Sequence, residues 1–202
     1  MQSVENKIEN KIKKSRRGKI FFQEDFATFG SPGAIRIALY RIHIKGLLYR
    51  VAHGIYVYPK VNTIDWIEDK YILPTINKIA YAIAKRDKIR IVPTASYALN
   101  VLGLSTQIPM NVVYKTDGAA RQIQIGKGRG ILFKHTSNAR SLAYKSELLM
   151  LIVSALREIG EDNSTTEQLE IIKKHFSHIS QKEFETDIKL MPIWIRKLLL
   201  SL

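Results

Sequence analysis

The stretch from Gly30 to Pro59 constrains this chain more than any other. It opens on Gly30-Ser31-Pro32, where Ser31 can cap free amides and Pro32 suits the first helical position. Ile35, Ala38, Leu39 and Ile42 then recur at the spacing of one helix face, and Gly46 is placed to end the helix. Two short runs rich in β-branched and aromatic residues follow, Leu47 to Val51 and Ile55 to Tyr58. His53-Gly54 between them reads as a tight turn, so the pair predicts a hairpin. Arg36, Tyr40 and His43 fall on one stripe of the helix, Arg41 and Lys45 on its flank, and Arg50 and His53 on the hairpin. A basic helix followed at once by a hairpin is the end of a winged helix-turn-helix, whose helix enters a major groove while the wing touches the backbone. The alternative is a solvated amphipathic helix whose charges serve solubility.

The preceding residues fit that order. Val4, Ile8 and Ile12 mark a first helix to about Lys14, and Ile20-Phe21-Phe22 marks a strand. Gln23 to Phe29 predicts a short second helix with Phe26 inside. Lys13, Lys14, Arg16 and Arg17 at the exit of the first helix are candidate phosphate contacts, or simply a solvated charge run. Residues 1–60 hold twelve Lys and Arg against four acids, while the other 142 residues hold twenty against fourteen. The excess therefore gathers on the first segment. A net charge of +14 and a pI near 9.9 point to a polyanionic partner, nucleic acid being the simplest. Each phosphate neutralised would add about −0.9 to the slope of log affinity against log salt.

Beyond a boundary near residue 62 the pattern is mixed α+β. Val61 to Leu73 reads as a connector held down by Trp66 and Tyr71. A helix is expected from Thr75 to Lys85, a strand from Ile89 to Val92, and a helix starting at Thr94 or Ser96. Strands follow from Met110 to Tyr114, Arg121 to Ile125 and Gly130 to Lys134, the last two as a hairpin around 126–128. Six basic residues and no acid lie between Arg121 and Lys145, so Arg121, Lys127, Arg129 and Lys134 form a second candidate surface for RNA, DNA or an acidic protein. Helices are expected for Leu148–Ile159, Thr165–Phe176 (entered through Asn163-Ser164), Gln181–Leu190 and Ile193–Leu202, the last an apolar helix that either docks on a core or binds a partner, docking being the commoner case.

The chemistry of an enzyme is not legible. His175 and His178 have metal-compatible spacing but no supporting carboxylate, and surface histidines are the commoner case. Gly126-Lys127-Gly128-Arg129-Gly130 joins two strands and lacks P-loop spacing. Asp65, Glu68 and Asp69 are an acidic cluster without the lysine strand of a nuclease. No catalytic residue, metal or cofactor is expected. There is no cysteine, no apolar run of membrane-spanning length and no apolar leader, which suits a cytoplasmic protein away from membranes.

Two motifs carry a resemblance. Ala38-Leu39-Tyr40-Arg41-Ile42, Lys45-Gly46-Leu47-Leu48-Tyr49-Arg50 and His53-Gly54-Ile55-Tyr56 resemble the winged-helix half of AbiE-type abortive-infection antitoxins, partners in type IV toxin–antitoxin operons. Tyr97-Ala98-Leu99-Asn100-Val101-Leu102-Gly103-Leu104-Ser105-Thr106-Gln107-Ile108-Pro109 and Thr116-Asp117-Gly118 resemble the opening of that family's second domain. The resemblance covers about residues 1–145. It implies a winged helix-turn-helix DNA-binding domain at 1–61 and an α+β antitoxin domain with a helical C-terminus at 62–202. It further implies an autorepressor that binds inverted repeats in its promoter and counteracts a nucleotidyltransferase-type toxin without a required stable complex. Ser31, Arg36, Tyr40 and Arg41 would face the groove, with Arg50 and His53 gripping backbone from the wing.

Overall fold

A computed structural model describes residues 2–62, 71–107, 110–126 and 128–202. The fold is mixed α+β. It divides into two compact units, Met1–Ile83 with Gln124–Lys127, and Ala84–Ile123 with Gly128–Leu202.

In the first unit the order is α1 (Val4–Lys13), β1 (Ile20–Phe22), a 3₁₀ segment (Gln23–Phe29), α2 (Pro32–Ile44), β2 (Tyr49–Ala52), β3 (Ile55–Val57), β4 (Lys60–Val61) and β5 (Tyr71–Ile72). The first three strands form an antiparallel sheet in the order β1-β3-β2. Register is set by Ile20 opposite Val57 and Phe22 opposite Ile55, with a bulge between Arg50 and Ala52. Strands β4 and β5 pair separately. Ser3 and Ser31 each cap their helix through the side-chain oxygen, and Gly46, at φ +78°, turns the chain out of α2.

The core lies between the two helices and the sheet. Ile8 and Ile12 of α1 meet Ile35, Leu39 and Ile42 of α2, and Phe21 stacks on Phe26 at 5.5 Å. Gly30 lies where the chain passes α1, since a Cβ there would stand 2.8 Å from Val4 Cγ2. The segment expected as a second α-helix is 3₁₀. Its first turn is closed by Asp25, whose carboxylate accepts the Phe22 amide at 2.8 Å, and seven residues allow little propagation beyond that. The first hairpin strand begins at Tyr49, not Leu47, because the backbone of 47–48 is engaged at the end of α2: the Leu47 amide donates to the Ile42 carbonyl and the Leu48 carbonyl faces His43 Nδ1. Trp66 lies outside the described residues. Tyr71 sits in β5, edge-on to Tyr49 at 6.4 Å.

The second unit has a four-stranded sheet in the order β6 (Ile91–Pro93), β7 (Asn111–Thr116), β9 (Arg129–His135), β8 (Arg121–Ile125). β6 runs antiparallel to β7, and β7 parallel to β9, with buried Tyr114 opposite Phe133. The helix α3 (Ile76–Asp87) precedes this sheet. The remaining helices are α4 (Ala95–Val101), α5 (Glu147–Ile159), α6 (Thr166–Phe176), α7 (Gln181–Asp187) and α8 (Ile193–Ser201). α5 is apolar nearly all round, with Leu149 to Val153, Ala155 and Leu156 buried, as a central helix must be. Ile195 and Leu199 of α8 dock into the same cluster. α6 starts at Thr166, capped by Thr165 in a capping box with Gln168, rather than through Asn163-Ser164. Asp187, almost fully buried, accepts the Lys145 and Ser146 amides at 2.9 Å each and so ties the end of α7 to the start of α5.

The two faces of α2 differ sharply: Leu39 is 1% exposed and Ile37 50%. Leu39→Ala should therefore cost ~2–5 kcal/mol of unfolding free energy in urea, and Ile37→Ala within about 0.5. Equal costs would contradict this orientation of α2.

Candidate nucleic-acid interface

The inner face of α2 is fixed by the core, which leaves Arg36, Ile37, Tyr40, Arg41 and Ile44 outside. The β2–β3 turn at His53-Gly54 stands beside that face. Arg36, Ile37, Tyr40, Arg50, His53 and Tyr56 line one groove of about 310 Å³ between helix and hairpin. Gln23 closes its end by donating from its side-chain amide to the Pro32 carbonyl at 2.9 Å. Arg50 donates to Nδ1 of His53 at 3.0 Å, so the two hairpin side chains hold each other. Among the described residues no carboxylate pairs with Arg36 or Arg50. The groove is thus positively edged and apolar-floored, which suits phosphates at its rim and base edges or thymine methyls within.

Arg41 does not share this freedom. It pairs with Glu5 at 3.6 Å, and Lys45 reaches both Glu5 and Glu9, at 2.5 and 3.3 Å. The hydrogen bond from Lys45 holds the Glu5 carboxyl below its ordinary range, and Glu5 in turn holds Lys45 above its own. With the folded pKa of Glu5 below its unfolded value, this bridge contributes fully above the ordinary glutamate range. It is lost as pH falls through the lowered value. For Lys45 the contribution is complete below the ordinary lysine range and lost as pH rises through the raised one. Ser31 is exposed, but its hydroxyl oxygen accepts the Ala34 amide at 3.3 Å as a helix cap. His43 does not lie on the exposed stripe: it is half-buried, with Nδ1 3.0 Å from the Leu48 carbonyl across the end of α2.

The basic run after α1 belongs to a different place. Residues 16–19 lead into Ile20, which pairs with Val57, whereas the hairpin turn follows from the pairing of Phe22 with Ile55. Arg16 and Arg17 therefore stand at the opposite end of the sheet from His53, separated by ~10 Å of strand. Arg17 stacks over the Tyr58 ring at 4.7 Å and donates to the Pro59 carbonyl at 2.9 Å. Lys13 pairs with Glu9 at 3.4 Å, and Lys14 is an exposed helix cap. The structure brings Arg36, Tyr40, Arg50 and His53 together and leaves Lys13, Lys14, Arg16 and Arg17 apart from them. Sequence reasoning missed the exposed Ile37 and Ile44, 50% and 65% exposed, which continue the Tyr40 stripe on the outer face. Their i, i+3, i+7 spacing was the available signal.

In the second unit Arg121 is half-buried, paired with Asp87 and lying 5.3 Å over the Phe133 ring. Burial pushes Asp87 up, but hydrogen bonds from Arg86 and Arg121 outweigh it and hold the carboxyl below its ordinary value. Arg121 is thus a strut of the sheet. Arg129 and Lys134 are exposed on β9, and Lys127 lies outside the described residues, as do Asp65, Glu68 and Asp69. His175 Nε2 is 3.1 Å from the Leu102 carbonyl and His178 Nδ1 is 2.8 Å from that of Lys174, so each ring faces backbone. Among the described residues no group of three metal-ligating side chains converges, and no helix is long and apolar enough to cross a membrane.

Glu5→Gln should release Arg41 and Lys45 toward any polyanion. We expect tighter non-specific duplex binding and a salt slope steeper by about 2 in fluorescence anisotropy. An unchanged slope would mean that these cations are not available on that face.

No curated protein matches the chain. A family model does match it over residues 7–188, and the chain belongs to that family, DUF6088, a family of unknown function.

Proposed function

We propose that this protein is a DNA-binding antitoxin and transcriptional autorepressor of a type IV toxin–antitoxin operon, acting in the cytoplasm without catalysis of its own. The observation that carries the reading is the groove between α2 and the β2–β3 turn, with Arg36, Arg50 and His53 on its rim and no carboxylate among the described residues pairing with either arginine. The order α1, β1, 3₁₀ segment, α2, β2, β3 supports a winged helix-turn-helix, with α2 as the helix that enters a major groove and the hairpin as its wing. The AbiE-type resemblance of the two motifs supplies the biological setting: inverted repeats in the promoter as the DNA target and a nucleotidyltransferase-type toxin as the activity opposed.

In this reading Arg36 and Tyr40 read base edges, Ile37 packs on thymine methyls, and Arg50 with His53 holds the backbone. Ser31 orients the start of α2, and Arg41 sets its flank through Glu5. The second unit carries the antitoxin activity through the basic hairpin of Arg121, Lys127, Arg129 and Lys134, of which Arg129 and Lys134 are exposed on β9.

A mobility-shift titration on the DNA upstream of the gene tests this. Arg36→Ala should weaken binding by ~1–3 kcal/mol and reduce discrimination against a scrambled duplex, as loss of a base contact does. Arg50→Ala should weaken both duplexes alike. Equal binding by the wild type and both variants would remove the groove from the DNA interface. If the upstream DNA competes no better than scrambled DNA, the autorepressor reading fails.

A further inference from the structure

At the opposite end of the first unit's sheet lies a second concavity, of about 550 Å³, that the reading above does not use. Arg16, Arg17, Lys19, Lys60 and Lys78 line it, five cations from three separate segments of the chain, and no acid among the described residues lines it. Lys13, Arg41, Lys45, Arg86, Arg90 and Arg121 each stand within ion-pair distance of a carboxylate. No such pair, among the described residues, involves a cation of this cleft.

One wall is held in place. Gly18 takes a left-handed φ of +90°, and its amide donates to the Tyr58 carbonyl. The Tyr58 amide donates back to the Lys19 carbonyl at 2.9 Å. A Cβ on Gly18 would come within 3.4 Å of Lys60 Cε, so the backbone passes close against that lysine stem. Arg17 is anchored on Tyr58 and Pro59. The opposite wall is apolar, built of Ile72, Leu73 and Pro74, with Ile72 51% and Leu73 38% exposed.

We infer that this cleft binds single-stranded nucleic acid, independently of the α2 groove. Five clustered cations, with no carboxylate among the described residues lining the cleft, call for consecutive phosphates. The apolar wall calls for something more, because a duplex presents phosphate and sugar outward and keeps its bases stacked inside. A single strand supplies both: phosphates for the lysines and an unstacked base or sugar face for Ile72, Leu73 and Pro74.

The test is fluorescence anisotropy of the full chain with a labelled oligothymidine and an oligouridine of about 12 nucleotides, beside a duplex of the upstream DNA. Lys19→Gln/Lys60→Gln/Lys78→Gln changes only exposed side chains, and its thermal midpoint checks the fold. It should lower single-strand affinity about tenfold or more and reduce the salt slope by about 2, at roughly −0.7 per phosphate. Leu73→Ser should weaken single-strand binding at an unchanged slope. Arg36→Ala/Arg50→Ala should leave it unaltered while weakening the duplex, so failure of this proposal and failure of the groove reading separate. Equal single-strand binding by wild type and the triple variant would overturn the proposal, as would equal proportional losses for duplex and single strand. Displacement of the strand by equimolar ATP would overturn it too, assigning the cleft to a free nucleotide.

Discussion

The burial of Ile8 and Ile12 against Ile35, Leu39 and Ile42 is the contact on which the first unit depends. It fixes the rotation of α2 about its own axis, and that rotation decides which residues face outward. Five buried aliphatic side chains at ~1.5–3 kcal/mol each give the contact far more weight than any surface ion pair nearby. Phe21 and Phe26 extend the same core to the sheet and the 3₁₀ segment, and the hairpin is thereby held beside α2. The geometry of the groove is a consequence of this packing. The polar residues on its rim do not create it.

Charge is distributed on that scaffold in two distinct ways. On the α1 side Glu5 and Glu9 sit against Arg41, Lys45 and Lys13, so part of the formal positive charge is neutralised within the molecule. At the groove and at the far cleft, no carboxylate among the described residues plays that role. Net charge therefore overstates the basic surface on one side of the helix pair and understates how concentrated it is elsewhere. In the second unit the same logic turns Arg121 inward onto Asp87 and Phe133, and the exposed basic side chains of the sheet are Lys115, Arg129 and Lys134.

Much of the local structure was legible because it rests on neighbours in sequence. Ser31-Pro32 starts α2, Ile8 and Ile12 share one face of α1, and His53-Gly54 turns the hairpin, each through interactions within a few residues. What escaped depends on contacts between distant segments. Glu5 and Arg41 are 36 positions apart, Arg17 and Pro59 are 42 apart, and neither partner marks the other in the sequence. Hence the basic run at 13–17 read as part of the helix surface, whereas Arg16 and Arg17 stand at the end of the sheet away from the hairpin turn. The far cleft was invisible for the same reason, since Lys19, Lys60 and Lys78 meet only in the folded chain. The parallel pairing of β7 with β9, with β8 placed outside them, is likewise a property of topology that alternation alone does not encode.

We propose that α2 and the β2–β3 turn form one surface that meets DNA. Hydrogen–deuterium exchange of the full chain, with and without the duplex from upstream of its own gene, tests this most directly. The claim predicts slowed exchange across residues 32–44 and 49–57. Unchanged exchange there, with protection confined to the second unit, would contradict it.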